Sequence, residues 1–419
     1  MRFIHAADIH LDSPLTGLSA YADAPADMLR TATREAFAKL VGVAIDEAVD
    51  FMVIAGDLYD GNWKDHNTGL YFARQMGRLK RAGIPVYLLY GNHDAESEMT
   101  RKLLLPDNVF VFDARKASTF IDPELKLALH GRSFKVAATT ENLVATYPEP
   151  VRGMFNIGVL HTALEGNAAH AHYAPCSLDE LQAKGYQYWA LGHVHEYSVW
   201  RGDACVVFPG NLQGRNIRET GPRGAVMVSH DAATGQVDIE RLLVDVLRWH
   251  RLEVDASSCA SFVEVARAIG SRLERLLLDE SPDMPLVVRV VVGGETAAHG
   301  ELFGLESQLR AEVQAQVAAL GHERLWLEKL RLATRAPLRP ATLHDRAEAL
   351  TDLQALLEEA ETDEAFLKDL QTELMGLVGK APHELQSSVP WFSDIRAGEL
   401  TGLLREVAPS LMAHLAKAE

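Results

Sequence analysis

The stretch Val86-Tyr87-Leu88-Leu89-Tyr90-Gly91-Asn92-His93-Asp94 carries the reading of the whole chain. An apolar run of strand length ends near a glycine, and the next three residues offer an amide, an imidazole and a carboxylate. The same grammar recurs four times. Residues 3–7 lead into Asp8-Ile9-His10, residues 51–55 into Gly56-Asp57, residues 157–160 into His161, and residues 188–191 into Gly192-His193-Val194-His195. Runs that are apolar on both faces read as buried strands. Between them, residues 28–49 and 67–82 repeat apolar side chains at the three- and four-residue spacing of helices. The prediction is an α/β fold. In open α/β sheets ligands collect outside the carboxyl ends of the strands, so these distant blocks can converge.

The spacing within each block suits ligands. Asp8 and His10 stand two apart, which points both side chains to one side of an extended segment, and His193 and His195 repeat the arrangement. Gly56 and Gly91 leave room for sharp turns, after which Asp57 presents a carboxylate able to bridge two cations. Carboxylate, imidazole and amide donors together suit Mn, Fe or Zn better than Ca or a thiolate-loving metal. Any one block is equally compatible with a turn. Five of them, in order and at five strand ends, point to a two-metal site that cleaves a phosphoester.

At 419 residues the chain exceeds what one core holds, so two or three domains are expected. An apolar fraction of 47% with 24% charged residues describes an ordinary globular protein. Met1-Arg2-Phe3-Ile4-His5 lacks signal-peptide organisation and no apolar stretch reaches membrane-spanning length, which predicts a cytoplasmic protein with no membrane partner. Cys176, Cys205 and Cys259 are scattered, as small buried hydrophobes are, rather than paired. The formal net charge of -17 argues against a protein that merely coats nucleic acid. A nucleic-acid enzyme stays compatible with it, because bound divalent cations and local basic loops attract phosphate.

After His195 the pattern changes. Residues 205–208, 225–229 and 237–244 are separated only by turns, the signature of antiparallel strands, and the expected product is a sandwich of two sheets with helices outside. From residue 248 a strand (249–254), a helix (262–278), a strand (285–292), a helix (302–320) and a strand (324–332) predict a small α+β capping domain. The chain reads helical from 341 onward, punctuated by Pro340, Pro382, Pro390 and Pro409. The expected domains are therefore 1–247, 248–335 and a helical C-terminal region, 336–419.

On these blocks the chain resembles the calcineurin-like metallophosphoesterase superfamily over roughly its first 230 residues. The segments from His5 to Pro14 and from Gly56 to Asp60 resemble the bacterial SbcD-like DNA-repair exonucleases. Tyr173-Ala174-Pro175-Cys176-Ser177 and the run from Phe208 to Gly221 are similar to the YhaO branch, which also has a small cap and a helical C-terminus.

The resemblance implies two divalent ions, manganese foremost, with iron or zinc as alternatives. One would be held by Asp8, His10, Asp57 and His195, the other by Asp57, Asn92, His161 and His193, with Asp57 bridging. Two cations about 3.5–4 Å apart steady both the attacking and the leaving oxygen of an in-line displacement. His93 would orient the scissile phosphate or protonate the leaving oxygen. Asp94 would fix the tautomer of His93. The implied function is a metal-dependent DNA exonuclease or endonuclease of the repair type. Its implied partners are DNA and an SMC-like (SbcC-type) ATPase, with a homodimer left open. A phosphoesterase of small phosphoesters or nucleotides is the alternative, and a catalytically idle scaffold for the ATPase is a second.

Where archaeal and eukaryotic relatives often carry a histidine three residues after the bridging aspartate, this chain has Asp60. Protein phosphatases of the superfamily place an arginine shortly after their second aspartate, whereas Gly61-Asn62-Trp63 follows here, which counts against a phosphoprotein substrate. Arg215, Arg218 and Arg223 lie in a loop on the active-site side, and guanidinium groups suit bidentate phosphate contacts, which marks Arg215 and Arg218 as substrate-binding candidates. His170 and His172 read as solvated or satisfied histidines, and Trp249 and His250 as cap packing. Leu400, Leu403, Leu404, Val407, Leu411 and Leu415 form a helical stripe that packs internally or docks on the ATPase.

Overall fold

The computed structural model describes residues 1–16, 26–60, 66–96, 104–164, 173–280, 283–321, 324–337, 343–378, 390–405 and 407–408. The expectations for Gly61-Asn62-Trp63, His170, His172, Pro340, Pro382, Pro409, Leu411 and Leu415 lie outside the described residues. The chain divides into two compact units, Met1–Ala336 and Pro337–Glu419.

In the first unit, β1 (Arg2–Ala6), β2 (Phe51–Ala55), β3 (Val86–Leu89) and β4 (Val109–Val111) begin one sheet. A second sheet takes β5 (Ser118–Asp122), β6 (Leu127–Gly131), β7 (Phe155–His161), β8 (Tyr188–Gly192), β9 (Ser198–Arg201) and β10 (Cys205–Phe208). The chain then returns to the first sheet as β11 (Gly224–His230) and β12 (Val237–Leu243), giving the orders β12-β11-β1-β2-β3-β4 and β5-β6-β7-β8-β10-β9. The α/β two-sheet sandwich is as expected. One detail differs: β10 pairs in parallel with β8, while β11 joins the first sheet antiparallel to β1 and β12 pairs antiparallel with β11. The segment between residues 208 and 224 crosses from sheet to sheet, so it is a connecting loop rather than a turn.

Period-two alternation sends the two faces of each strand to different partners. Ile4, Ala6, Met52 and Ile54 face outward onto Ala36, Phe37 and Leu40 of α1 (Ala26–Asp46) and Phe72 and Met76 of α2 (His66–Arg81). Phe3, Phe51 and Val53 face inward onto Leu129, Ile157 and Tyr188 of the second sheet, with Phe3 and Phe51 stacked at 4.7 Å. Each fully buried side chain of this size contributes about 1.5–3 kcal/mol.

The polar exception in this interface is His5. Its Nε2–H donates to the Leu191 carbonyl at 3.0 Å and its Nδ1 accepts from the Tyr188 hydroxyl at 2.9 Å. Burial pushes its pKa down to about 3, so one neutral tautomer satisfies both contacts. The bond ties β1 to β8, and thereby the turn after Ala6 to the turn after Gly192.

The remaining three strands, β13 (Arg248–Asp255), β14 (Leu286–Glu295) and β15 (Leu325–Arg335), form a parallel sheet of their own. Its core joins Val288, Val290 and Val292 to Val265 and Ile269 of helix Phe262–Asp279 and to Leu309 and Val313 of helix Glu306–Gly321. The single helix expected over 302–320 is two, His299–Gly304 and Glu306–Gly321. On the opposite face Trp249 packs with Leu15, Leu29, Leu247 and Val287, and its Nε1–H donates to the Gly214 carbonyl at 2.9 Å.

The second unit contains helices Leu343–Ala360, Glu364–Val378 and Pro390–Ala397. Val378, Phe392, Ile395 and Leu400 form its core, with Leu403 packed against it, whereas Val407 is exposed. Among the described residues no helix is long and apolar enough to cross a membrane.

Candidate metal centre

The five blocks meet at the carboxyl ends of β1, β2, β3, β7 and β8. Glycines permit that approach. At Gly56 the backbone turns through φ +95°, and a Cβ there would lie 2.4 Å from His161 Nδ1. At Gly192 a Cβ would lie 2.0 Å from the Ala55 carbonyl oxygen of the facing sheet. Several ligand-bearing residues share this tight backbone, with φ of 50° at Asp8, 44° at His10, 51° at Asp57 and 101° at His193. Left-handed backbone at non-glycine residues is uncommon and concentrates at functional sites.

Donor atoms of Asp8, His10 and His195 all lie within 4.8 Å of one another, and so do those of Asp57, His161 and His193. Asn92 joins the second group, its Oδ1 2.9 Å from His161 Nε2. The seven residues singled out in the sequence are thus brought together in two adjoining sets. Each set presents donors held from behind. His161 Nδ1–H donates to the Ala55 carbonyl at 2.9 Å, which turns Nε2 toward Asn92 Oδ1 and, at 3.3 Å, Asp57 Oδ2. His195 Nδ1–H donates to Glu219 Oε1 at 2.8 Å, leaving its Nε2 to face His10 Nε2 at 3.3 Å. The Asp8 carboxylate is fixed by the His193 amide at 2.9 and 3.1 Å. Donor atoms converging on one another, with His161, His195 and Asp8 anchored by hydrogen bonds from behind, fit divalent cations with nitrogen and oxygen ligands.

Two expected roles change. Asp94 was expected at the His93 ring, but its Oδ1 accepts from the Tyr59 amide at 3.0 Å and its Oδ2 from the amides of Gly91 (3.0 Å) and Leu58 (3.2 Å). The short helix α3 (Asn92–Glu96) turns it inward, where it laces the Asp57 turn to the Gly91 turn. The carboxylate facing His93 Nδ1, at 3.4 Å, is Asp60, which also lies 3.6 Å from His10 Nδ1. Arg215 is no free phosphate clamp either. Its Nη2 donates to Glu219 Oε1 at 3.1 Å and its Nη1 to Ser13 Oγ at 3.3 Å. Arg223 is buried and donates to the carbonyls of His195 and Thr220 and to Glu196. Arg218 alone of the three is exposed. Glu219 was missed as a functional residue. Its one signal was its place in the run from Phe208 to Gly221 already singled out.

The comparisons with known proteins concur. The family description calcineurin-like phosphoesterase matches residues 1–197, and metallophosphoesterase YhaO, middle domain, matches residues 249–335. The chain is 32% identical over 298 residues to the uncharacterized metallophosphoesterase YhaO of Bacillus subtilis, covering 70% of this chain and 72% of that one. The chain belongs to the calcineurin-like metallophosphoesterases. More distant similarity reaches archaeal proteins named DNA double-strand break repair protein Mre11. One from Sulfurisphaera tokodaii is 27% identical over 48% of this chain and 51% of that one. Another, from Aeropyrum pernix, is 26% identical over 66% and 68%.

The electrostatics of this metallophosphoesterase site follow from packing acids and imidazoles together out of water. Burial alone would lower the His161 pKa, yet Asp57 raises it to about 9. Asp57 is held in turn well below the usual carboxylate range, its burial outweighed by His161. Burial raises Asp8 to about 6, tempered by His195 and His161. His10 is pushed down to about 3 by burial and by Arg215. Glu219 would be raised by burial, but the His195 hydrogen bond and the Arg215 guanidinium keep it well below its ordinary value. A proton on His161 Nε2 thus stands where a ligating lone pair is needed, and metal binding must displace it.

Proposed function

We propose that this metallophosphoesterase is a metal-dependent nuclease that hydrolyses phosphodiester bonds of DNA in repair, in concert with an SMC-like ATPase. The observation that carries the reading is the complete convergence of Asp8, His10, Asp57, Asn92, His161, His193 and His195, in a chain whose similarity to the Aeropyrum Mre11 protein spans 299 residues. Asp8, His10, Asp57 and His195 would hold one ion, and Asp57, Asn92, His161 and His193 the other. When bound, such a pair supplies an activated water at neutral pH and positive charge for the phosphoryl oxygens.

The protein's own groups do the rest. His93 is half-buried, and its backbone N–H donates to Asp57 Oδ1 at 3.0 Å, which fixes it beside the ligand set. With Nδ1 facing Asp60 at 3.4 Å, its Nε2 is left to meet the leaving oxygen. Exposed Arg218 is available to a phosphate outside the centre.

The test uses chelator-stripped protein reloaded with Mn2+ or Mg2+ and offered labelled single- and double-stranded DNA beside a small chromogenic diester. DNA digestion that vanishes in Asp57→Asn and His93→Gln supports the nuclease. Turnover of the diester with DNA untouched, even with the ATPase present, establishes the small-phosphoester alternative, which the net charge of -17 favours. The ATPase partnership rests on the family resemblance, and co-purification of the two chains tests it.

A further inference from the structure

Two carboxylates stand behind the histidines of the centre. Glu219 accepts from His195 Nδ1 at 2.8 Å. Asp60 Oδ1 faces His10 Nδ1 at 3.6 Å and His93 Nδ1 at 3.4 Å. One guanidinium spans the gap between these acids. Arg215 Nη2 donates to Glu219 Oε1 at 3.1 Å; Arg215 Nη1 donates to Ser13 Oγ at 3.3 Å and lies 4.0 Å from Asp60 Oδ1. Ser13 completes the relay, donating its hydroxyl proton to Asp60 Oδ2 at 2.8 Å. The main chain of Arg215 is pinned as well: its N–H donates to Glu219 Oε2 at 2.7 Å and its carbonyl accepts from the Thr16 amide at 2.9 Å.

The residues so joined hang from different sheets. Ser13 and Asp60 follow β1 and β2 of the first, while His195 follows β8 and Arg215 follows β10 of the second. We propose that Arg215 is a positioning residue, which through Glu219 on one side and Ser13 and Asp60 on the other sets the orientation of His195, His10 and His93. Glu219 on His195 Nδ1 fixes the tautomer that leaves Nε2 free to ligate, Asp60 acts on His10 and His93 as a nearby charge, and such outer contacts govern metal affinity. A forked, permanently charged group is needed because two separated acids must be held by one side chain; the point charge of lysine does not span them. The alternative, that Arg215 grips substrate phosphate through both Nη groups, requires those two to be turned away from Glu219 and Ser13.

The proposal rests on the metal-centre reading but not on the identity of the substrate, and the experiment separates the two. Mn2+ is titrated calorimetrically, without substrate, into chelator-stripped parent, Arg215→Ala and Arg215→Lys proteins whose folding is checked by circular dichroism. Arg215→Ala is expected to bind Mn2+ about 10–100-fold more weakly, with Arg215→Lys in between. Millimolar guanidinium ion should restore part of the alanine variant's affinity. In the metal-free protein, 15N resonances of the imidazoles should report His195 protonated at Nδ1 in the parent and a tautomer mixture in Arg215→Ala. With metal saturating, kcat on a chromogenic diester should fall while KM stays near that of the parent. Parent-like Mn2+ affinity with a raised KM would overturn the proposal in favour of substrate contact. If Arg215→Ala does not fold, parent-like affinity in Arg215→Lys alone overturns it. Failure of DNA cleavage alongside the expected affinity pattern would count only against the nuclease reading.

Discussion

Replacing Gly192 by alanine tests whether the two sheets meet at the metal centre as described. The added Cβ would sit 2.0 Å from the Ala55 carbonyl oxygen and 3.0 Å from His161 Nδ1. Such a contact opens to at least 3.0 Å in real proteins, so about 1 Å of movement is required. Ala55 is the last residue of a fully buried central strand, and Gly192 ends β8, so neither backbone yields readily. Overpacking of this kind costs about 1–3 kcal/mol. The displaced carbonyl is also the acceptor that anchors His161 Nδ1, which adds about 1 kcal/mol for the strained hydrogen bond. A misplacement of about 1 Å at a catalytic constellation costs about 100-fold in rate. Urea unfolding followed by tryptophan fluorescence reads the first effect, and Mn2+ titration with diester turnover reads the second. Gly42→Ala is the control: it lies in α1, nothing stands within 4 Å of its Cβ, and it should stabilise by about 0.5–1 kcal/mol. A Gly192→Ala protein with the stability and metal affinity of the parent would refute the sheet contact on which the centre depends.

Other expectations can be checked with the same protein. At pH 7 the metal-free protein carries a proton on His161, whose pKa is raised to about 9, so metal loading should release it; calorimetry in buffers of different ionisation enthalpy counts it, and a release that fails to fade above about pH 9 contradicts the assignment. His5 is neutral when folded down to about pH 3 but takes a proton near 6.5 when unfolded, so it removes about 1.4 kcal/mol of stability per pH unit as the pH falls from 6.5. The urea midpoint of a His5→Gln variant should therefore depend less steeply on pH over that window; equal slopes would sink the idea. Trp249→Phe deletes the donor to the Gly214 carbonyl and should lower stability by about 1 kcal/mol in thermal unfolding, with metal affinity unchanged.

The donors were legible because each lies in a short block next to its own strand, and topology alone carries the blocks together. The groups behind them were not legible. Asp60, Ser13 and Glu219 act through side-chain contacts between segments up to 202 residues apart, and no local pattern encodes that pairing. Asp94 misled for the converse reason: adjacency to His93 implied a ring contact, but one turn of helix aimed it at three backbone amides instead. Arg215 looked available to phosphate because a sequence shows a charge and not its partners. In the fold, β4, β5, β6 and β9 escaped notice: β4, β5 and β9 are short and partly exposed, and β6, though buried, is a short run broken by His130 and Gly131.

The left-handed backbone at Asp8, His10 and Asp57 also governs how this protein can be disabled cleanly. At φ near 50° a residue other than glycine is held at a cost of about 1–2 kcal/mol, less where it is asparagine or aspartate. An alanine exchange at Asp8 or Asp57 removes a ligand and also burdens the turn that carries it, so lost activity and a loosened fold arrive together. Asparagine at Asp8 or Asp57 keeps the shape and the backbone while deleting the charge. Glycine relaxes the turn, and an Asp57→Gly chain that melts higher than its parent would show how much conformational tension this corner of the sandwich carries for the sake of its cations.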